Sequence, residues 1–221
     1  VGYGRLRWCI VTDNAAGGRG GGLAISGSGL VSQCSVSSNR ETICWGGVGV
    51  VMSGNSIIEH SIVFDNVNWN NGVAGAGGPG GGIDLQSNNP TVRNCTIYGN
   101  CGTTGGGIYN NCGNGAKIHD CIVWGNMTTS DTSVGAPNWY GTGNKITNVF
   151  SSVAWGVTVG DHELVGNPDF KDAAHGDFRL KATSLCCDSA WGVATVERDF
   201  LGNPRVRGAK MDIGALESDP N

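Results

Sequence analysis

The sequence predicts an all-β fold in which short strands are wound into a stack of similar coils. Three observations predict it: a repeat with a period of 25 to 34 residues, short apolar runs that alternate with polar residues, and a high glycine content. Glycine supplies 39 of the 221 residues, and charged residues make up only 14%. A period of roughly 20–50 residues is typical of solenoids. The regular spacing of the hydrophobic residues indicates an ordered core, which a disordered glycine-rich chain would lack.

Each repeat is anchored by a Cys and by an Asn five positions later. The anchor pairs are Cys9/Asn14, Cys34/Asn39, Ser61/Asn66, Cys95/Asn100 and Cys121/Asn126, and a weaker sixth copy has Val149 in the anchor position. Segments such as "VRNCTIYGN" alternate with a period of two and lack the i, i+3, i+4 spacing of helical repeats. We therefore predict a right-handed parallel β-helix over residues 1–153, with about five to six coils and three strands per coil. Residues 154–221 are predicted to form an irregular C-terminal cap or tail.

The alternation also predicts which side chains point into the solenoid. Inward positions are the anchor, the second residue after it and the third residue before it, which places aliphatic residues in columns along the stack. The predicted columns are Cys9/Cys34/Ser61/Cys95/Cys121, Val11/Val36/Val63/Ile97/Val123 and Leu6/Val31/Ile58/Val92/Ile118. We expect the Asn residues to form a ladder of side-chain amides at a turn.

The chain contains nine cysteines, an odd number, so at least one is unpaired. We expect the anchor cysteines to be free, buried thiols that act as small apolar side chains. Cys101 and Cys112 flank a turn, and a disulfide between them is left open. One of the neighbouring residues Cys186 and Cys187 is expected to face the core. The absence of any CxxC spacing argues against a zinc site.

Charge and hydropathy exclude two classes of partner. The net charge is −4 and no run of basic residues occurs, so nucleic acid is not an expected partner. No segment approaches the ~20 apolar residues of a membrane-spanning helix. The sequence starts within a repeat, and we expect it to be a piece of a longer chain.

The last sixty residues resemble a known family. The segments "NPDFKDAAHGDFRLKATS" and "RDFLGNPRVRGAKMDIGALE" are similar to the C-terminal segment of bacterial right-handed β-helix proteins of the choice-of-anchor Q type, within the pectate lyase-like superfamily. The resemblance implies an exported protein located outside the cell or at the cell surface. From the residues themselves, Asp199, Arg205, Asp212 and Glu217 of this segment are expected to form a salt-bridged lock rather than a catalytic carboxylate cluster.

Candidate binding residues are aromatic. Phe64, Tyr98 and Trp124 occupy one outward column of successive coils and predict an exposed apolar strip. Three interpretations stay open: packing of the tail or of a partner, binding of sugar rings, and plain surface stacking. Trp69, Trp139 and Tyr140 lie in long insertions that are predicted to form the rim of a carbohydrate-binding or partner-binding groove.

Candidate catalytic residues are sparse. Arg93 and His119 lie on adjacent coils, as do Asp84 and Tyr109, and these residue types suit the β-elimination of a uronate. Asp84 and Asp120 are candidate ligands for Ca²⁺, although no cofactor is required by the sequence. We expect the two pairs to lie on different faces.

Three functions remain compatible with these residues. The favoured one is an exported bacterial β-helix module for surface or carbohydrate interaction without an active site of its own. The others are a polysaccharide lyase or glycoside hydrolase acting on an acidic polysaccharide, and a structural surface or filament protein that self-assembles along its outer β-helix face.

Overall fold

The computed structural model describes residues 2–42, 46–70, 73–74, 79–128, 139–141, 145–147, 150–151 and 164–219. These residues form an all-β parallel solenoid followed by a C-terminal tail. In the described part of the chain the only helical elements are two short 3₁₀ turns, η1(Gly113–Gly115) and η2(Ala173–His175).

The solenoid is built from strands of two to six residues. The first two turns contain β1(Arg5–Arg7), β2(Ile10–Thr12), β3(Ala15–Ala16), β4(Leu23–Ile25), β5(Leu30–Ser32), β6(Ser35–Ser37), β7(Arg40–Glu41) and β8(Val50–Gly54). The next two contain β9(Ile57–Glu59), β10(Ile62–Phe64), β11(Val67–Asn70), β12(Val73–Ala74), β13(Ile83–Asn88), β14(Thr91–Arg93), β15(Thr96–Tyr98), β16(Cys101–Gly102) and β17(Ile108–Asn110). The stack continues with β18(Lys117–His119), β19(Ile122–Trp124), β20(Met127–Thr128), β21(Trp139–Gly141), β22(Lys145–Thr147), β23(Phe150–Ser151) and β24(Leu164–Val165).

These strands form four parallel sheets. Sheet A has the order β1-β5-β9-β14-β18-β22, sheet B β2-β6-β10-β15-β19-β23-β24, sheet C β20-β16-β11-β7-β3 and sheet D β21-β17-β13-β8-β4, while β12 pairs antiparallel with β11. The predicted all-β parallel solenoid is confirmed, but each coil contributes to four sheets rather than three. The strands of sheet C were missed because most of them have only two residues, as in Arg40–Glu41. About four turns are complete in the described residues, so the predicted count of five to six coils was slightly too high.

The strand register confirms the predicted core columns. Val11, Val36, Val63, Ile97 and Val123 are paired in register through sheet B, and Leu6, Val31, Ile58, Val92 and Ile118 through sheet A. Most of these side chains are fully buried. Burial of each one stabilises the fold by roughly 1.5–3 kcal/mol. The anchor thiols of Cys34, Cys95 and Cys121 are buried and free, as expected, and the Cys9 thiol is free and partly buried.

The remaining described cysteines are free as well. Cys101 and Cys112 do not form the disulfide that the sequence left open. Of the neighbouring pair, Cys186 is fully buried and Cys187 only partly, which confirms that one of them faces the core.

The asparagine ladder is confirmed. The side-chain amide of Asn14 donates to Oδ1 of Asn39 at 3.0 Å, and the contacts Asn39–Asn66, Asn66–Asn100 and Asn100–Asn126 repeat it at 2.9 Å. Each Nδ2 from Asn39 onward also donates to a backbone carbonyl of the preceding coil, such as Val36 O for Asn66. The amides thus satisfy buried turn backbone, which explains why Asn recurs.

The corner between sheets A and B needs a left-handed backbone. The residue before each anchor has a φ of 48° to 56°, namely Trp8, Gln33, His60, Asn94 and Asp120. Asn, Asp and His tolerate this conformation better than most residues. Apart from Trp8, the members of this corner column are polar and buried.

The C-terminal tail lies along the side of the solenoid. Its antiparallel hairpin consists of β25(Phe170–Asp172) and β26(Asp177–Leu180). Phe170, Phe178, Leu180, Met211 and Ile213 form a second apolar cluster together with residues of the outer face of sheet B. The tail therefore has a hydrophobic core of its own, which packs on the outer face of sheet B.

Candidate functional site: the outer face of sheet A

The outer face of sheet B is covered. The Phe178 ring lies 5.1 Å from that of Phe64 and 5.2 Å from that of Tyr98, and Phe170 lies 5.9 Å from Tyr98, measured between ring centroids. Trp124 packs against the same cluster. Of the three interpretations that the sequence left open, packing of the tail is the one that the structure shows for Phe64, Tyr98 and Trp124, so these side chains do not form an exposed strip.

A buried ion pair holds the tail together. Arg205 and Glu217, each about 1% exposed at the side chain, form a salt bridge. The Arg205 Nη2 also donates to the carbonyl oxygens of Asp212 at 3.0 Å and Gly214 at 2.8 Å. Asp199 and Asp212 accept hydrogen bonds from tail backbone, including Glu217 N and Ser218 N. The carboxylates of Asp199, Asp212 and Glu217 are all bound by residues of the tail. The cluster therefore stabilises the fold of the tail.

The backbone of the tail approaches sheet B most closely at Gly214. Gly214 N donates to Asp120 O at 2.9 Å, and Ala215 N donates to the Thr96 hydroxyl at 3.1 Å. A Cβ on Gly214 would lie 2.8 Å from Ile122 Cδ1, and its φ of 99° is one that L-residues rarely adopt. The "DIGAL" segment therefore needs glycine at this position.

Residues of the corner column bind the tail from the solenoid side. Gln33 Nε2 donates to Arg198 O at 2.7 Å, and Asp120 accepts from Trp191 N at 2.7 Å and Gly192 N at 3.1 Å. Sequence reasoning missed this role. The available signal was a series of polar residues directly before the anchors, at positions that alternation alone does not assign.

His60 is the most deeply buried member of that column. Arg205 Nε donates to His60 Nδ1 at 2.9 Å, and because Arg only donates, His60 is neutral with its proton on Nε2. The Nε2 group then donates to the Thr195 hydroxyl at 3.0 Å, which itself donates to Glu59 Oε2 at 3.0 Å. Burial and the neighbouring Arg205 lower the pKa of His60 to about 2. An imidazole in this state cannot activate Thr195 as a base.

The outer face of sheet A has a different character. Its outward positions carry the cationic residues Arg5, Arg7, Arg93, Lys117 and His119, arranged over β1, β14 and β18. Among the described residues of this face Glu59 is the only carboxylate, and it is neutralised in place. Glu59 accepts from Arg93 Nε at 2.9 Å and from Ser32 Oγ at 3.0 Å. The face therefore carries more cationic than anionic side chains on a chain with a net charge of −4, and the tail contacts it at the buried Glu59 through Thr195.

His119 lies at one end of this face in a defined orientation. Its Nδ1 is 2.9 Å from Asp120 Oδ2, and its side chain remains 29% exposed. The second ring nitrogen, Nε2, is thus left to contact a ligand. Arg93 pairs in register with His119 on the adjacent strand. Two of the predicted catalytic candidates therefore do lie together.

Asp84 and Tyr109 lie elsewhere, as expected. They pair in register on sheet D, so the four candidates do not form one site. Asp84 is buried, accepts from Gly47 N at 3.1 Å and Gln86 Nε2 at 2.9 Å, and its burial raises the pKa of the carboxyl group. Asp84 and Asp120 lie in different parts of the coil and cannot share an ion. Among the described residues no group of three potential metal ligands occurs.

The insertion aromatics are described only by their backbone. Trp69 belongs to β11 of sheet C, and Trp139 and Tyr140 belong to β21 of sheet D, where they pair with Ile108 and Tyr109. Their side chains lie outside the described residues, as does Val149. The groove predicted from these residues stays a prediction.

A family model that matches the sequence agrees with this fold. Residues 3–150 match the family model described as "Right handed beta helix region". No curated protein matches the sequence significantly. The crystal structure of the pectate lyase Pel9A is similar at 15% identity with a TM-score of 0.48, covering 97% of this chain and 65% of that one. The chain thus spans less than two thirds of that structure. Within the described residues, no helix has the length and apolarity of a membrane span.

Proposed function

Because the chain belongs to the right-handed β-helix family, we propose that it is an exported, non-catalytic module that binds an anionic polysaccharide along the outer face of sheet A. The observation that carries the proposal is the set of cationic side chains on this face, among them Arg93 and Lys117. The cations lie in two groups on sheet A, Arg5 and Arg7 on the first rung and Arg93, Lys117 and His119 on the fourth and fifth rungs, with no cation on the two rungs between them. Parallel strands are about 4.8 Å apart, so the first and fourth rungs are about 14 Å apart. A linear polymer with repeated carboxylates is long enough to contact both groups.

The geometry of Arg93 supports binding of anions. Glu59 holds the guanidinium through Nε and through Nη2 at 2.5 Å, while the Arg93 side chain stays 25% exposed. A guanidinium held in this way is positioned in advance and loses little side-chain entropy when a ligand binds. Sheet B offers no comparable surface, since the tail occupies it.

Binding of polygalacturonate, measured by affinity electrophoresis at low and high salt, tests the proposal. Fully methyl-esterified polygalacturonate is the matched probe, because it keeps the polymer and removes the charge. We expect binding of the acid form alone, weakening with salt because exposed charges are screened. Equal retardation by both polymers, or by neither, would contradict the proposal.

Two single variants test whether the polymer binds on sheet A. Lys117→Gln should weaken binding about threefold, as expected for one exposed charge. Lys210→Gln, an exposed lysine on the tail, is the matched control and should change nothing. Equal losses for the two variants would move the binding surface away from sheet A.

A second candidate function is favoured by one observation, the His119–Asp120 pair beside Arg93. A histidine oriented by a carboxylate can remove the proton next to a uronate carboxyl group, whose charge Arg93 would stabilise. Incubation with polygalacturonate and measurement of the ultraviolet absorbance of unsaturated products tests this lyase activity. Product formation that is lost in His119→Ala would replace the non-catalytic proposal by this one.

A further inference from the structure

A pocket lies where the first coil of sheet A meets the tail. Its lining includes Arg7, Trp8, Gln33, Thr195, Glu197 and Arg198, and its volume is ≈ 480 Å³. Pockets of roughly 300–1,000 Å³ with a few convergent polar groups are typical of small-ligand sites. The pocket continues the basic face of sheet A toward its β1 edge.

Trp8 is unusual for its position in the fold. It has a φ of 56°, at the corner where the next coils carry Gln33, His60, Asn94 and Asp120. A bulky residue in the left-handed region is a strained choice, and such strain is concentrated at functional sites. Trp8 lies on the first coil and is 50% exposed. The ring is available as a flat apolar wall of the pocket.

Gln33 contributes a buried acceptor. The residue is 2% exposed, and its Nε2 donates to Arg198 O at 2.7 Å, which fixes the orientation of the amide because a carbonyl oxygen only accepts. Its Oε1 is buried and accepts no hydrogen bond from any described residue. A buried acceptor without a donor costs stability, which a ligand hydroxyl would restore.

Charge completes the site. Arg7 and Arg198 place two guanidinium groups at the pocket against the single carboxylate of Glu197. Guanidinium groups recognise carboxylates with two parallel hydrogen bonds. Arg198 Nη1 donates a hydrogen bond to Gly202 O at 2.8 Å, which orients the guanidinium group.

We infer that this pocket binds a single uronic acid residue at the end of an acidic glycan. The apolar face of the sugar stacks on the Trp8 indole, a ring hydroxyl donates to Gln33 Oε1, and the carboxylate is bound by Arg7 and Arg198. The inference rests on the proposed function in so far as the polymer on sheet A leads to this pocket. It adds that the end of the glycan is recognised at this site.

The test is titration calorimetry with digalacturonate against the wild-type chain and Trp8→Gln. Gln is the residue of the next coil at the same corner, so this variant keeps the backbone and removes only the ring. We expect about tenfold weaker binding for Trp8→Gln, because stacking on the ring is lost. Trp191→Gln, an exposed tryptophan outside the pocket, is the matched control and should bind normally. The dimethyl ester of digalacturonate should bind more weakly than the acid.

Absence of digalacturonate binding, or equal losses in Trp8→Gln and Trp191→Gln, would overturn the inference. The outcomes for polymer and dimer are separable. If Lys117→Gln leaves polygalacturonate binding unchanged while Trp8→Gln weakens digalacturonate, the proposal for sheet A fails and the pocket stands. If instead Lys117→Gln weakens polygalacturonate binding while Trp8→Gln leaves digalacturonate binding unchanged, the inference about the pocket fails and the proposal for sheet A stands.

Discussion

Sheets A and B are built by the same coils and meet at one corner, yet their outer faces differ completely. Sheet B presents Ile62, Ile122 and aromatic rings, and the tail covers them. Sheet A presents arginines, a lysine and a histidine, which stay partly or fully exposed, and the tail contacts it at Glu59 through Thr195. The inward side chains of both sheets are the same kind of aliphatic ladder. The comparison teaches that the repeat specifies the solenoid, whereas the outward residues decide which face binds the tail.

The largest effect is expected when the tail is released from the outer face of sheet B. Glu217→Ala leaves Arg205 buried without its counter-charge and should lower the free energy of unfolding by about 3–5 kcal/mol. Denaturant unfolding measures the loss, and binding of a hydrophobic dye should rise as the face of sheet B opens. Asp177→Asn, in the more exposed pair with Arg179, is the control and should be indistinguishable from wild type. A similar loss in both variants would show that the buried pair is not special.

The next test stays within one column of sheet B. Ile10 and Ile62 both pair with Ser35, but Ile62 is 5% exposed and belongs to the cluster formed with the tail, whereas Ile10, on the first coil, is 73% exposed and lies outside that cluster. Ile62→Ala should cost about 2–4 kcal/mol and Ile10→Ala less than about 0.5 kcal/mol in denaturant unfolding. Equal effects would mean that the tail does not bury this column.

A pH series probes the corner between the two sheets. His60 is neutral when folded, with a pKa of about 2, whereas an unfolded histidine titrates near 6.5. Between these values the unfolded state binds the additional proton. The free energy of unfolding therefore falls as the pH falls, by up to about 1.4 kcal/mol per pH unit from His60 alone.

In His60→Gln this contribution disappears, so unfolding curves between pH 6.5 and 4 should show a shallower decline than wild type. Gln keeps an acceptor for Arg205 and a donor for Thr195. An unchanged slope would contradict the buried, neutral state of His60.

The smallest effect is expected on the outer face of sheet A. Lys117→Gln should change the free energy of unfolding by less than about 0.5 kcal/mol, because an exposed side chain on sheet A stabilises little. Thermal unfolding measures it beside the binding assay. A large destabilisation would mean that Lys117 is structural, and its effect on polymer binding would then say nothing about a site.

Much of the scaffold could be predicted from the repeat. The anchor alignment predicted the register of Val63 with Ile97, the free buried thiols and the Asn ladder, because each depends only on local alternation and on stacking of like residues. The strands of sheet C were missed, since four of the five have only two residues and carry no periodic signal. The separation of Asp84 from Arg93 was expected from their different distances to the anchor.

The candidate sites were predicted less well. The sequence identified the outward aromatics and left packing of the tail open as one interpretation, but it did not identify Phe178 as the contact, because Phe178 lies far from Phe64 along the chain and no pattern links them. The basic character of sheet A emerges only when Arg5 and Lys117, more than a hundred residues apart, are placed on one face. The pocket at Trp8 likewise needs Arg198, which the tail brings back to the first coils.

By itself, then, the sequence determined the stacked coils, their inward ladders and the turns that need Asn, because these follow from interactions between equivalent positions of neighbouring repeats. Only the tertiary structure decided which outer face the tail covers. That decision depends on where a non-repeating tail finds apolar contacts and hydrogen-bond partners such as Asp120 and His60. Contacts between a repeating and a non-repeating segment leave no period in the sequence. They are therefore visible only in the three-dimensional structure.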